Sequence, residues 1–339
     1  MDLNFTDEQQ LLRETVRGLC QRHADLTVVR QLEDDPIGYS EKLWTALGET
    51  GLLDLSELSM LDAAIVYDEF GRSLSPSPHF ASSVVSAGIL GTPGTERIVV
   101  PAWLEPGRGF GPKGVTLDAG RLTGTKRHVP FAAAADELVV LCRDGGDVVY
   151  VRVDPKADGV TLTQQQTIAS DTQYRIDFDG VTGEVIDRRG WDVFDGVMHD
   201  ALILLAAQAA GGARAALDMT VQYAKDRQQF DKPLGAFQAL AHYLADAVTT
   251  VDGAETLVWE AAWARDNGRS IKRLAPMAKL FATQTYRDVT AMAQQVFGGV
   301  GFTVDYDIQL YFRRAKQLQI SWWDTRYLEE LIAAEVLDS

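Results

Sequence analysis

Apolar positions along this chain change period twice, from helical to alternating and back to helical. Near the start, Thr6 and Gln9 have the spacing of a capping box, and Leu11, Leu12, Val16 and Leu19 then recur on one helical face, which predicts a helix over 7–24. Helical patterns follow at 40–50, 57–74 and 79–90, separated by Asp-Pro, Gly and Ser-Pro-Ser-Pro punctuation. From 97 to 190 the texture becomes short apolar runs, at 98–101, 115–117, 138–141, 148–153 and 174–178, broken by Gly and Asp. These read as strands of a mostly antiparallel sheet, with Asp-Gly-Gly-Asp at 144–147 as a tight turn. From Trp191 onward helical patterns return, at 192–225, 236–267, 271–297 and 324–337. Small residues dominate 201–216, so that helix predicts close backbone approach and cover on nearly every side. The expected fold class is α+β and mostly α. Its expected parts are an N-terminal helical domain (1–93), a middle antiparallel, barrel-like β domain (94–190) and a C-terminal four-helix bundle (191–339).

Composition narrows the partners more than the fold. At 339 residues with 46% hydrophobic and 24% charged positions, the chain has the makeup of a globular protein with a large core. A formal net charge of −16 repels nucleic-acid backbone and anionic membrane alike, so neither is expected as a partner. The first ten residues lack a basic segment followed by an apolar one, and no charge-free apolar run is long enough to span a bilayer; a cytoplasmic location is expected. Cys20 and Cys142 read as buried free thiols. The five histidines, His23, His79, His128, His199 and His242, lack metal-ligand spacing, so no metal is expected.

Two stretches carry candidate chemistry. Residues 223–238, Y-A-K-D-R-Q-Q-F-D-K-P-L-G-A-F-Q, put Arg227 and aromatic residues in a turn between two long helices, where a guanidinium fork can meet a phosphate. Residues 295–302, Q-V-F-G-G-V-G-F, follow an apolar helix with glycines that let backbone approach a ligand. Taken singly, the first reads equally as a solvated loop arginine and the second as a helix C-cap. Taken together, they point to a nucleotide-containing cofactor.

Arg227, Phe230, Leu234 and Gln238, followed by Ala293, Gln295, Gly298, Gly299, Gly301 and Phe302, resemble the C-terminal helical domain of acyl-CoA dehydrogenases, with Asp231 where that family has Gly. The W-x-x-L-G-E-x-G-L-L and Y-D-E-F-G-R-S-L phrases of the N-terminal third and L-T-G-T-K at 122–126 extend the likeness, although the loop at 56–59 is short for the family. The resemblance implies an FAD enzyme that removes the α-proton of an acyl-CoA with a carboxylate base while the β-hydrogen leaves as hydride. It further implies that Arg227, Gln229, Phe230, Phe237, Gln238, Gln295, Val296, Phe297, Gly298 and Gly299 serve the pyrophosphate and adenosine end of an FAD whose ring lies in a neighbouring subunit.

The same resemblance fails where catalysis would sit. The segment that usually carries the base aligns with Ser321, Trp322, Trp323 and Asp324, which puts tryptophan in place of glutamate. An alternative base position on the first long helix is Ala201, and the substrate arginine after it is Leu202. Asp200 is adjacent, but one residue along a helix turns a side chain by about 100°. The segments expected to hold the flavin ring read L-E-P-G-R-G-F at 104–110 and H-V-P at 128–130. This pattern resembles one subunit of the actinobacterial α2β2 acyl-CoA dehydrogenases, several of which act on steroid side-chain CoA thioesters in cholesterol catabolism. A homologous catalytic partner is then expected to supply the base and most of the acyl-CoA contact. Two alternatives stay open: a self-sufficient enzyme with Asp200 or Asp324 as a displaced base, and a structural paralogue without cofactor.

Overall fold

A computed structural model describes residues 4–107 and 109–337. Its N-terminal helices are α1 (Asp7–His23), α2 (Leu26–Gln31), α3 (Glu41–Glu49) and α4 (Met60–Arg72), followed by a π-helical stretch (Phe80–Ser86) that runs into α5 (Ala87–Leu90). Eight strands come next: β1 (Val99–Ala102), β2 (Thr116–Asp118), β3 (Arg121–Pro130), β4 (Glu137–Asp144), β5 (Asp147–Val153), β6 (Val160–Gln165), β7 (Gln173–Thr182) and β8 (Glu184–Asp187). The C-terminal part holds α6 (Trp191–Asp226), a short hairpin of β9 (Gln228–Gln229) and β10 (Lys232–Pro233), α7 (Gln238–Asp266), α8 (Leu274–Phe297), α9 (Ile308–Ile320) and α10 (Thr325–Leu337). α+β, mostly helical, is therefore the class observed.

Local signals act as the sequence indicates. Thr6 and Gln9 close a reciprocal capping box on α1, and Ser40 and Ser59 cap α3 and α4 through their side-chain oxygens. Gly145, at φ 61°, turns the β4–β5 hairpin so that Asp144 pairs with Asp147. The sheet is mixed, because β1 and β2 both run parallel to β4 while the other pairings are antiparallel. β4 lies central in the order β6-β7-β3-β2-β4-β5-β8 and is buried from Glu137 to Cys142, which explains its unbroken apolar run. β6 and β8 stand at the sheet's two ends and lack such a run, and so does β3, so the apolar pattern misses all three. It also misses α9, an α-helix additional to the four predicted in the C-terminal part.

Contacts gather the chain into two compact units, neither continuous in sequence. One comprises Met1–Thr27, Leu58–Ser75 and Leu202–Ser339; the other comprises Val28–Glu57 and Pro76–Ala201. In the first unit α4 and α6 touch backbone to backbone. A Cβ on Gly71 would lie 1.9 Å from the Gln208 carbonyl oxygen, and one on Gly211 would lie 2.0 Å from that of Asp68. This reciprocal contact is the close approach the small residues of α6 allow. By length and composition α6 could cross a membrane, but 67% of its most apolar window is buried, as in the core helix of a bundle. In the second unit the sheet packs on an aromatic cluster in which Trp103 contacts Phe110 and Phe194, and the Tyr150 hydroxyl accepts from the Phe194 N–H. Cys20 and Cys142 are buried free thiols.

Candidate functional site

The two sequence stretches meet at one end of the helical unit. Past α6, the Arg227 N–H donates to the Tyr223 carbonyl at 2.8 Å and the Leu234 N–H donates to the Arg227 carbonyl at 2.9 Å, closing a compact loop. At its tip Phe230 and Asp231 take φ of 53° and 64°, the left-handed pair that a two-residue β9–β10 turn requires. Aspartate tolerates this conformation better than most residues, which accounts for Asp231 at a position that favours glycine. Phe230 is 85% exposed and meets Phe237 edge to face, while the Lys232 ammonium sits 4.2 Å from the Phe237 ring. Arg227 is exposed, and its guanidinium makes no hydrogen bond or ion pair to another described residue.

Tyr223 joins this loop to the glycine stretch by stacking on Phe297 at 4.0 Å with a 14° tilt, and Tyr306 packs edge-on against both rings. Gly298 caps α8 at φ 66°. A Cβ on Gly298 or Gly299 would meet nothing within 4 Å, so their backbone faces open space. Gly301 differs, since its Cβ would come within 2.9 Å of the Gln294 Oε1 and of Phe297; it is a packing glycine. Val296 and Phe297 are buried and hold the loop, whereas Gln295, Gln229 and Gln238 are exposed. The Gln229 amide donates to the Gln228 carbonyl. The result is an end of the bundle with an uncommitted guanidinium, exposed amides and accessible backbone, a donor set suited to phosphate and to a polar heterocycle.

The sheet unit presents the opposite picture. Glu105 of the 104–110 segment accepts the N–H groups of Lys113, Gly114 and Val115 at 2.7, 2.5 and 3.3 Å and pairs with the buried Lys126 ammonium at 2.7 Å. Burial drives the Lys126 ammonium down to about 8 despite that carboxylate, while for Glu105 burial is outweighed by Lys126 and the N–H groups, which hold it below its ordinary value. Arg108 of this segment lies outside the described residues. At the end of β3 a register shift puts His128 at φ 52°, and its N–H is taken by the Gln165 side chain at 2.8 Å. Pro130 has no N–H, and that of Phe131 goes to the Thr172 carbonyl at 3.0 Å. Along 128–131 these donors are spent within the chain.

Asp324 caps α10, accepting the Tyr327 N–H on its side chain at 3.0 Å, and Asp200 is half-buried next to the fully buried Ala201 and Leu202. Trp322 and Trp323 both take left-handed backbone, at φ 52° and 72°, and Trp323 is fully buried. What holds this turn escapes the sequence reading: Lys279 of α8, fully buried, donates to the carbonyls of Ser321, Trp322 and Trp323 at 2.6, 3.1 and 2.5 Å. Burial lowers its ammonium to about 7, with Asp324 opposing. A lysine in the apolar run of 271–297 is the signal that could have shown it. Tyr223 and Tyr306 carry no signal beyond being aromatic, since their role depends on Phe297.

Comparison with known proteins fixes the lineage. Residues 6–98 match the acyl-CoA dehydrogenase N-terminal domain and residues 188–337 the acyl-CoA dehydrogenase C-terminal domain. The chain is 32% identical over 322 residues to the acyl-CoA dehydrogenase IpdE2 of Mycolicibacterium smegmatis, covering 92% of this chain and 93% of that one. It is 28% identical to the benzylmalonyl-CoA dehydrogenase of Aromatoleum aromaticum, covering 99% and 100%. Among solved structures, the ChsE4-ChsE5 complex from Mycobacterium tuberculosis contains a chain matching at TM-score 0.88 and 25% identity over 100% of both chains. The Tcur3481-Tcur3483 steroid ACAD variant matches at TM-score 0.86 and 28% identity over 98% and 99%. On both domain matches and on full-length relatives, this chain belongs to the acyl-CoA dehydrogenase family, FAD-dependent oxidoreductases acting on CH-CH bonds.

Proposed function

We propose that this chain is the FAD-binding but non-catalytic subunit of a heteromeric acyl-CoA dehydrogenase that introduces an α,β double bond into a steroid side-chain CoA thioester. Bound FAD supplies the hydride acceptor. This chain's own part is binding: Arg227 on the pyrophosphate, backbone at Gly298 and Gly299 with the Gln295 and Gln238 amides along the adenosine portion, and Phe230 and Phe237 beside them. The partner supplies the ring pocket and the carboxylate base.

The observation that carries this reading is the contrast between the uncommitted Arg227 guanidinium beside the open glycine backbone at 298–299 and the spent donors along 128–131. A tryptophan at the base position and the use of Asp324 as a helix cap support it. The relatives in the ChsE4-ChsE5 complex and in the Tcur3481-Tcur3483 pair, the latter named a steroid ACAD, support a two-chain assembly and the substrate class.

Flavin stoichiometry of the co-expressed complex tests it. Two FAD per four chains are expected, because each heterodimer has one complete site. Arg227→Ala should weaken FAD retention roughly ten- to a hundredfold, since a charged hydrogen bond to phosphate contributes about 1.5–3 kcal/mol. Asp200→Asn and Asp324→Asn should leave turnover nearly intact. Four FAD per tetramer, or a loss above about a hundredfold in kcat for either Asp variant with FAD still bound, would return catalysis to this chain.

A further inference from the structure

The sheet unit contains a cavity of about 580 Å³ that the flavin reading does not use. Ser82, Ala87 and Leu90 of the π-helical stretch and α5 form one wall, Val185 and Ile186 of β8 line another, and Glu137 and Arg152 lie between. The loop after α5, with Arg97 at its end, edges the mouth.

Four charged side chains run through it in alternation. Arg152 donates through Nε to Glu137 at 2.8 Å and through Nη1 to Glu184 at 3.1 Å, while Arg97 reaches Glu137 through one Nη2 at 3.4 Å. Only the Glu137 side chain is buried, at 9% exposure, against 65% for Arg97, 44% for Arg152 and 68% for Glu184. The inner set of Arg97, Glu137 and Arg152 therefore carries one net positive charge. The outer Glu184 contact is a solvent-exposed ion pair of little strength. Arg97 commits one of its five N–H groups, so its fork is largely unspent.

The frame around these groups is fixed. A π-helix is rare and recurs at functional sites. Here it aims the Ser82 hydroxyl at both the Val99 N–H, at 3.1 Å, and the Arg97 carbonyl, at 3.3 Å, anchoring the backbone on which Arg97 stands. Gly94 locks the loop, because a Cβ there would lie 1.8 Å from the Leu53 carbonyl oxygen.

We propose that this cavity binds a small organic monocarboxylate with an aliphatic body. The carboxylate bridges Arg97 and Arg152, displacing Glu184, and the aliphatic part lies on Leu90, Val185 and Ile186. With Glu184 displaced, the remaining Arg97, Glu137 and Arg152 carry one net positive charge that matches a monoanion, two planar forks match a carboxylate, and Leu90, Val185 and Ile186 offer an aliphatic tail an apolar contact that a hydrated inorganic ion cannot use. The inference is independent of where the flavin binds.

Calorimetric titration of the full chain with sodium octanoate tests it, with octanol and inorganic phosphate as controls. Saturable binding is expected with a dissociation constant on the order of 1 mM or tighter for a ligand of this size. Arg97→Gln should weaken it about tenfold with the unfolding midpoint unchanged, since that side chain has only one long contact to lose. Glu184→Gln should tighten it severalfold by removing the competing carboxylate. Octanol should not bind, and phosphate should not displace octanoate at equal concentration. Absence of saturable binding, equal affinity in wild type and both variants, octanol binding as well as octanoate, or equal competition by phosphate would each overturn the proposal.

Discussion

The Lys126–Glu105 pair offers a sharp test, because the same substitution should change sign with its background. Both groups are buried, Lys126 at 0% and Glu105 at 6% exposure. Lys126→Met leaves Glu105 ionised in its nest of three backbone N–H groups without a counter-charge. Breaking a buried pair from one side costs about 3–5 kcal/mol, and the surviving nest puts this case near about 3. Glu105→Gln in the wild-type background should also destabilise, since the Lys126 ammonium keeps only the Trp103 carbonyl, at 3.1 Å, as a full-strength acceptor. In the Lys126→Met background, however, Glu105→Gln removes an uncompensated charge while its amide oxygen still accepts from the nest. It should then recover about 1–2 kcal/mol, the scale of one unsatisfied buried group. The assay is a four-member double-mutant cycle by urea unfolding at pH 7, read as midpoints at constant m. Additive losses, or a Lys126→Met effect below about 1 kcal/mol, would refute the reasoning.

Three further outcomes are expected. Burial, with Glu69 and Glu255 adding to it against Arg72 and Arg13, raises the Asp68 carboxyl from 3.8 to about 7. The folded state therefore holds the extra proton between those values, stability falls as pH rises from about 4 to 7, and Asp68→Asn should gain on wild type across that window by up to about 4 kcal/mol; a flat difference in unfolding free energy between pH 4 and 8 would refute it. For Lys279 the sign reverses: its folded value of about 7 lies below 10.5, the unfolded chain binds the extra proton between them, and wild type should gain on Lys279→Met as pH rises from 7 to 10.5. Lys279→Met should itself cost about 3 kcal/mol by orphaning the carbonyls of Ser321, Trp322 and Trp323, and an unshifted midpoint with unchanged tryptophan fluorescence would remove Lys279 as the clamp. Asp231→Gly should stabilise by about 0.5–1 kcal/mol, because glycine relieves the left-handed turn at φ 64°; a destabilised variant would show that the Asp231 side chain holds the hairpin.

Signals that act over a few residues were legible in the sequence. Thr6 with Gln9 specifies its own capping box, the central strand declares its burial by an unbroken apolar run, and the small residues of α6 announce a close crossing without naming the partner. The family resemblance likewise rests on local phrases, Arg227 to Gln238 and Gln295 to Phe302, and the solved relatives agree with it. Only the tertiary structure decided what depends on residues far apart in the chain. It paired Gly71 with Gln208 and Gly211 with Asp68, stacked Tyr223 on Phe297 to join the two candidate stretches, and separated Gly301, pressed against Gln294, from Gly298 and Gly299, which face open space. It set Lys279 beneath a turn more than forty residues away, as the shortest of these links, 42 positions, shows. A glycine or a lysine has the same local preferences whether it packs, binds or clamps; the difference is what the rest of the fold brings against it, and periodicity carries no information about that.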